Sequence, residues 1–357
     1  MKITQEMLKK TGSLTQIAGI GEYRLENGRG RGTRILDFFT GTGFQFQVLV
    51  DRGFDLCHAR FLGQSLDWHS ANGVVAAPFH ESPGFGWLRT FPGGLVTTCG
   101  LMQVGSPNRD ENEDLGLHGR FSSTPAELVR VEREVEGDEL RLEAEANVYE
   151  TSVFGHKLKL HRKIRTGSGQ SALFLEDTVT NIGFQRAPFM ILYHINLGFP
   201  LVDDGSSLLV SADGIVPRDA EAEKGRADAL RFGTPDCSFR EQVYFMNMIT
   251  DRDGRVAAAL VNERIRYAGF QGLGLYIRYR KDELPEFTEW KMTGCGEYVV
   301  GLEPGNCNPV GRKAARESGQ LKFIEPGETR KSGLEIGVLT GNAEIERFRQ
   351  ELSAGRS

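Results

Sequence analysis

The chain is short of the residues that build stapled or metal-held folds. Its 357 residues include five cysteines: Cys57, Cys99, Cys237, Cys295 and Cys307. The number is odd and no C-x-x-C pair occurs, which argues against a disulfide framework and a zinc ribbon. Long apolar runs are also missing. No stretch approaches the length of a membrane-spanning helix, and Met1-Lys2-Ile3-Thr4-Gln5-Glu6 lacks the apolar segment of a secretory leader. The expected compartment is therefore the reducing cytoplasm, with no membrane partner. No block is dense in lysine and arginine, and the formal net charge is −5. Nucleic acid is thus not an expected partner. A βαβ rhythm, a fixed-period repeat, a low-complexity tract and a linker are absent as well.

What remains is the composition of a soluble globular protein, 39% hydrophobic and 25% charged. Glycine is abundant, at 44 residues, and is spread between short apolar runs, as in strands joined by tight turns. Period-two alternation recurs along the chain. Leu140, Leu142, Ala144, Ala146 and Val148 alternate with polar residues, and Leu158, Leu160 and Ile164 repeat the pattern. Leu173, Leu175 and Val179 follow, then Leu273, Leu275, Ile277 and Tyr279. Ile35 to Phe39 and Phe44 to Val50 flank Gly41-Thr42-Gly43 as a hairpin. Helical spacing is confined to Thr4–Lys10 and to the stretch from Asn342, where Ile345, Phe348 and Leu352 share a side. The expectation is an all-β fold: one large antiparallel β-sandwich spanning residues 1–357, with short terminal helices.

Two strands end in ways that suit chemistry. In Leu192 to Pro200, Tyr193, Ile195 and Leu197 fall on one face and His194 with Asn196 on the other. In Tyr298 to Pro304, apolar Tyr298, Val300 and Leu302 leave Glu303 on the opposite face, just before a proline. Each has an ordinary explanation, a hydrogen-bonded core histidine or a solvated carboxylate. Leu117-His118-Gly119-Arg120 offers a second histidine beside a glycine, which permits close backbone approach but also suits a surface loop. Trp87 to Gly94 offers aromatic rings for the apolar faces of a pyranose and Arg89 for its hydroxyls. Trp290, within Glu289-Trp290-Lys291, is either a sugar-stacking wall or core filling. His58, His69 and His80 are evenly spaced, but no regular element makes them a metal site. Arg52 and Asp55 read as a structural ion pair.

Taken together, these elements resemble the galactose mutarotase (aldose 1-epimerase) superfamily. Leu192 to Pro200 resembles its histidine strand, and Gly301-Leu302-Glu303-Pro304 its C-terminal glutamate motif. Leu117-His118-Gly119 is similar to its upstream His-Gly element, Asp177 to Gly183 to the strand and turn that lead into the histidine, and Glu325-Pro326-Gly327-Glu328 to a late turn. Two features depart from the pattern. Ile195 separates His194 from Asn196 without the usual aromatic pair, and the substrate-binding aspartate has no clear equivalent. Glu241 or Gln242 lies nearest that interval.

The resemblance implies a supersandwich fold and a metal-free, cofactor-free isomerase acting on a small carbohydrate. It implies Glu303 as base and His194 as acid, with His118, Arg89, Asn196, Arg120, Trp290 and Gln242 as substrate-binding candidates. The competing readings are a carbohydrate-binding protein or sensor without catalysis, and a glycoside-cleaving enzyme, which needs two carboxylates flanking the scissile bond. A homodimer is compatible with the sequence, which does not itself fix the oligomeric state.

Overall fold

The structure is a computed structural model and describes residues 2–355. Three antiparallel sheets carry most of the chain. The first 65 residues supply a five-stranded meander, in which Arg34–Phe39 and Phe44–Leu49 form the hairpin that the glycine-bounded turn predicts. An eight-stranded sheet contains the long alternating strands Glu139–Thr151, Lys157–Gly167, Ala172–Asn181, Phe270–Arg280 and Thr329–Thr340. Their inward residues, among them Leu142, Leu160, Leu175, Ile277 and Ile336, are buried as the period-two pattern requires.

The third sheet has six strands, in the spatial order Ala212–Pro217, Gln242–Met248, Glu286–Thr293, Tyr298–Gly305, Met190–Gly198, Thr97–Leu101. One apolar cluster joins all three sheets, taking Phe38 and Phe46 from the first, Leu142 and Leu175 from the second, and Tyr193, Ile195, Val300 and Leu302 from the third. Met190–Gly198 is buried on both faces, so the polar face of this strand lies inside the protein.

The terminal helices are present. Gln5–Leu8 is capped by Thr4, whose side chain accepts from the Met7 N–H. Asn342–Ala354 buries Ile345 and Phe348. Two short internal helices, Ala220–Lys224 and Arg312–Glu317, were not signalled by any periodic apolar pattern. One disulfide, Cys237–Cys295, departs from the expectation drawn from the odd cysteine count, while Cys57, Cys99 and Cys307 are free and buried. Two cysteines this far apart in sequence leave no spacing signature. No helix among the described residues is long and apolar enough to cross a membrane.

Arg52 and Asp55 are structural, but not as each other's partners. Arg52 donates to the carbonyls of Val75, Thr90 and Ser122, and Asp55 pairs with Arg162 at 2.7 Å.

Candidate active site

The strands Met190–Gly198 and Tyr298–Gly305 are antiparallel neighbours in the register Ile195↔Leu302 and Leu192↔Gly305. That register sets His194 opposite Glu303, and directly opposed residues project to the same face. The His194 Nε2 and Glu303 Oε1 atoms are 3.2 Å apart. Both residues are buried at the floor of a cavity of about 600 Å³, which they help to line.

Gly301 provides the room for this approach. A Cβ there would lie 2.7 Å from Glu303 Oε1 and 3.2 Å from His194 Cε1. The Glu303 head therefore leans into space that only a glycine leaves open.

Aromatic side chains wall the cavity. Trp290 and Phe91 flank His194, with ring centroids 5.1 and 5.5 Å away, and Trp87 stacks on Phe91 at 4.3 Å. Trp68 meets Trp290 at 6.3 Å. The Trp290 indole N–H donates to Glu241 Oε1 at 2.8 Å, and Arg218 holds the other Glu241 oxygen at 2.9 Å.

His118 reaches the cavity from a loop in which it adopts φ +56°. This left-handed conformation is uncommon for a non-glycine residue and is held here by its surroundings. Its Nδ1 accepts from the Gly105 N–H at 3.4 Å, so the neutral ring carries its hydrogen on Nε2. Burial pushes its pKa down to about 4, which keeps it neutral.

Burial also governs the central pair. It lowers the His194 pKa well below the ordinary histidine range, helped by nearby His118 and opposed by Asn196. It raises the Glu303 pKa well above the carboxylate range; Glu241 and Glu289 add to this and Arg218 opposes it. Each charge is therefore disfavoured in isolation. Glu303 Oε1 and His194 Nδ1 are buried without a hydrogen-bond partner. Such orphaned groups in a cleft are a signature of functional sites.

Among the residues expected to bind substrate, His118 and Trp290 line the cavity with His194 and Glu303. Four others do not. Arg89 points into solvent at the end of the short turn Gly86–Arg89 and pairs with Glu81 at 3.3 Å; Trp87, Leu88 and Phe91 of its segment line the cavity instead. Arg120 is exposed and lies off the cavity.

Gln242 faces the far side of the sheet, where it accepts from the Tyr244 hydroxyl at 2.9 Å, while Glu241 and Val243 line the cavity. Strand alternation separates these neighbours. Asn196 shares His194's face but is sealed from the cavity, its amide donating to the carbonyls of Gly94 and His194 at 3.1 and 2.9 Å.

Sequence reasoning missed Trp68, Arg218 and Glu297. Trp68 and Arg218 lie in segments with no periodic or motif signal. His58 and His69 do meet, at 3.2 Å, but no group of metal-ligating side chains assembles among the described residues.

A family model described as a domain of unknown function, DUF4432, matches residues 30–338. The chain belongs to that family. No curated protein matches this DUF4432 chain. Among solved structures, it is similar to a Klebsiella pneumoniae protein provisionally described as an aldose 1-epimerase. The two are 25% identical with a TM-score of 0.87, over 95% of this chain and 88% of that one. A galactose 1-epimerase from Lactobacillus acidophilus matches at 15% identity and TM-score 0.59, over 91% of this chain and all of that one. A galactose mutarotase-like protein from Clostridium acetobutylicum matches at 12% and 0.57, over 91% and 99%. At these lower identities the likeness is one of fold. This member of the DUF4432 family therefore has the galactose mutarotase-like architecture and stands as a divergent branch of it.

Proposed function

We propose that the protein interconverts the anomers of an aldose or aldose derivative through acid–base ring opening by Glu303 and His194. The observation that carries this reading is the 3.2 Å approach of imidazole to carboxylate at the floor of an aromatic-walled cavity.

The pair holds one exchangeable proton. With that proton on His194 Nε2, the carboxylate of Glu303 takes the anomeric hydroxyl proton while Nε2–H protonates the ring oxygen. The C1–O5 bond breaks, C1 becomes a carbonyl, and the open chain rotates about C1–C2. Reclosure on the other face returns both protons. With the proton on Glu303, both groups are neutral. Burial favours that neutral form, and sugar hydroxyls that solvate the charges shift the pair toward its reactive form. The Trp290 and Phe91 rings suit the C–H faces of a pyranose, and His118 Nε2–H is a donor for one of its oxygens.

Saturation-transfer NMR of anomer exchange, run across neutral, acidic and phosphorylated sugars, tests the reading. The protein should accelerate exchange for at least one class. Glu303→Gln should lose on the order of 10²–10⁴-fold of that acceleration, the usual contribution of a positioned acid–base group, with an unchanged melting transition. Sugar binding without any acceleration by the wild-type protein would instead identify a carbohydrate-binding protein.

A further inference from the structure

Asn196 carries a polar group that neither the cavity nor the packing accounts for. Its amide orientation is fixed by chemistry, because only nitrogen can donate to the two carbonyls it faces, Gly94 O at 3.1 Å and His194 O at 2.9 Å. The Oδ1 atom must therefore point the other way. It is fully buried and has no hydrogen-bond partner. His194 Nδ1 is sealed in the same manner and is likewise without a partner.

The two residues are two apart on one strand and project side by side from the same face. The other ring nitrogen, Nε2, is turned to Glu303. A bare Nδ1 would leave two buried lone-pair acceptors beside each other, whereas a hydrogen on Nδ1 gives the imidazole a donor to offer Oδ1.

We propose that Asn196 is a positioning residue that fixes His194 in the Nδ1–H tautomer, leaving Nε2 as the nitrogen that exchanges a proton opposite Glu303. The effect of Asn196 on the imidazole has the matching sign, since it favours the protonated ring against burial and His118. A histidine held the other way round would carry its hydrogen on Nε2 while neutral and could not accept one there. The proposal rests on the mutarotase reading for its catalytic consequence, but not for the tautomer itself.

The wild-type protein supplies the first measurement, a long-range ¹H–¹⁵N correlation spectrum at neutral pH. His194 should show a protonated Nδ1 and a pyridine-type Nε2; a protonated Nε2 with bare Nδ1 would overturn the proposal without any mutant. In Asn196→Leu, which keeps bulk but removes the acceptor along with the amide donations to the Gly94 and His194 carbonyls, the spectrum should move toward the Nε2–H form. Its kcat should fall with KM unchanged, by on the order of 10²-fold or more, in line with the cost of a wrong histidine tautomer elsewhere. An unaltered tautomer with unaltered kcat in this variant would also overturn the proposal. If the wild-type protein accelerates no anomer exchange, the mutarotase reading falls, and the wild-type spectrum still decides the tautomer.

Discussion

A single missing methyl group sets how the candidate acid and base meet. Gly301 is not in a positive-φ conformation, so its backbone does not require glycine; the space above it does. Gly301→Ala should leave the strand intact, because alanine costs no more backbone entropy there than glycine. The added methyl should drive the Glu303 head away from His194 and reduce anomer exchange by at least about tenfold, the scale of losing a positioned proton donor or acceptor. Double-mutant analysis with Glu303→Asp, whose shorter side chain retreats from the gap, separates this from general damage: the two losses should be strongly non-additive. Additive losses would show that the gap does not position the carboxylate. At the same scale, Arg89 and Gln242 show the limits of residue type as a guide. Guanidinium and carboxamide both suit sugar hydroxyls, yet one sits at an exposed turn and the other on the wrong side of a strand.

Strand ends transmit structure to the site. Glu150, near the end of Glu139–Thr151, accepts the Leu101 N–H at 2.6 Å, and the adjacent Gly100 N–H donates to the His118 carbonyl at 3.1 Å. Burial pushes the Glu150 pKa up from its ordinary 4.5 to about 7, with Arg120 and Arg312 acting against the shift. The folded protein thus keeps a proton that the unfolded chain releases between these values. This contribution to stability is complete below pH 4.5 and is lost as the pH rises through about 7. Glu150→Gln keeps the acceptor for Leu101 without the titration, so its melting temperature should fall less across that window than the wild type's. Parallel curves from calorimetry at a series of pH values would refute the assignment. The motif that leads into the histidine strand was recognisable at this scale from Asp177 to Gly183, whereas the two internal helices were too short to show a period.

One guanidinium ties the three sheets together. Arg162, wholly buried in the eight-stranded sheet, donates to Asp55 of the meander at 2.7 Å and to Thr98 of the six-stranded sheet at 2.8 Å. It also pairs with Asp177 at 2.7 Å, and Asp177 in turn accepts the Tyr193 hydroxyl from the strand that carries His194. Removing the cation strands two buried carboxylates. Arg162→Met should therefore cost about 3–5 kcal/mol of stability, the range for breaking a buried pair from one side, measured by urea unfolding. A loss within about 0.5 kcal/mol, as for an ordinary surface substitution, would show that the network carries little of the stability.

The sequence by itself determined the strand-rich architecture, because period-two alternation between an apolar interior and a polar exterior is written residue by residue. It also supplied the faces of His194 and Glu303, since those follow from parity within a single strand. Tertiary structure decided which of the polar candidates share a cavity. Strand register brought residues 194 and 303 together, loop conformation delivered His118 and withheld Arg89, and Glu241 rather than Gln242 came to face the site. These outcomes depend on pairings between segments remote in the chain, and the energy of such pairings belongs to the packed core rather than to any local run of residues.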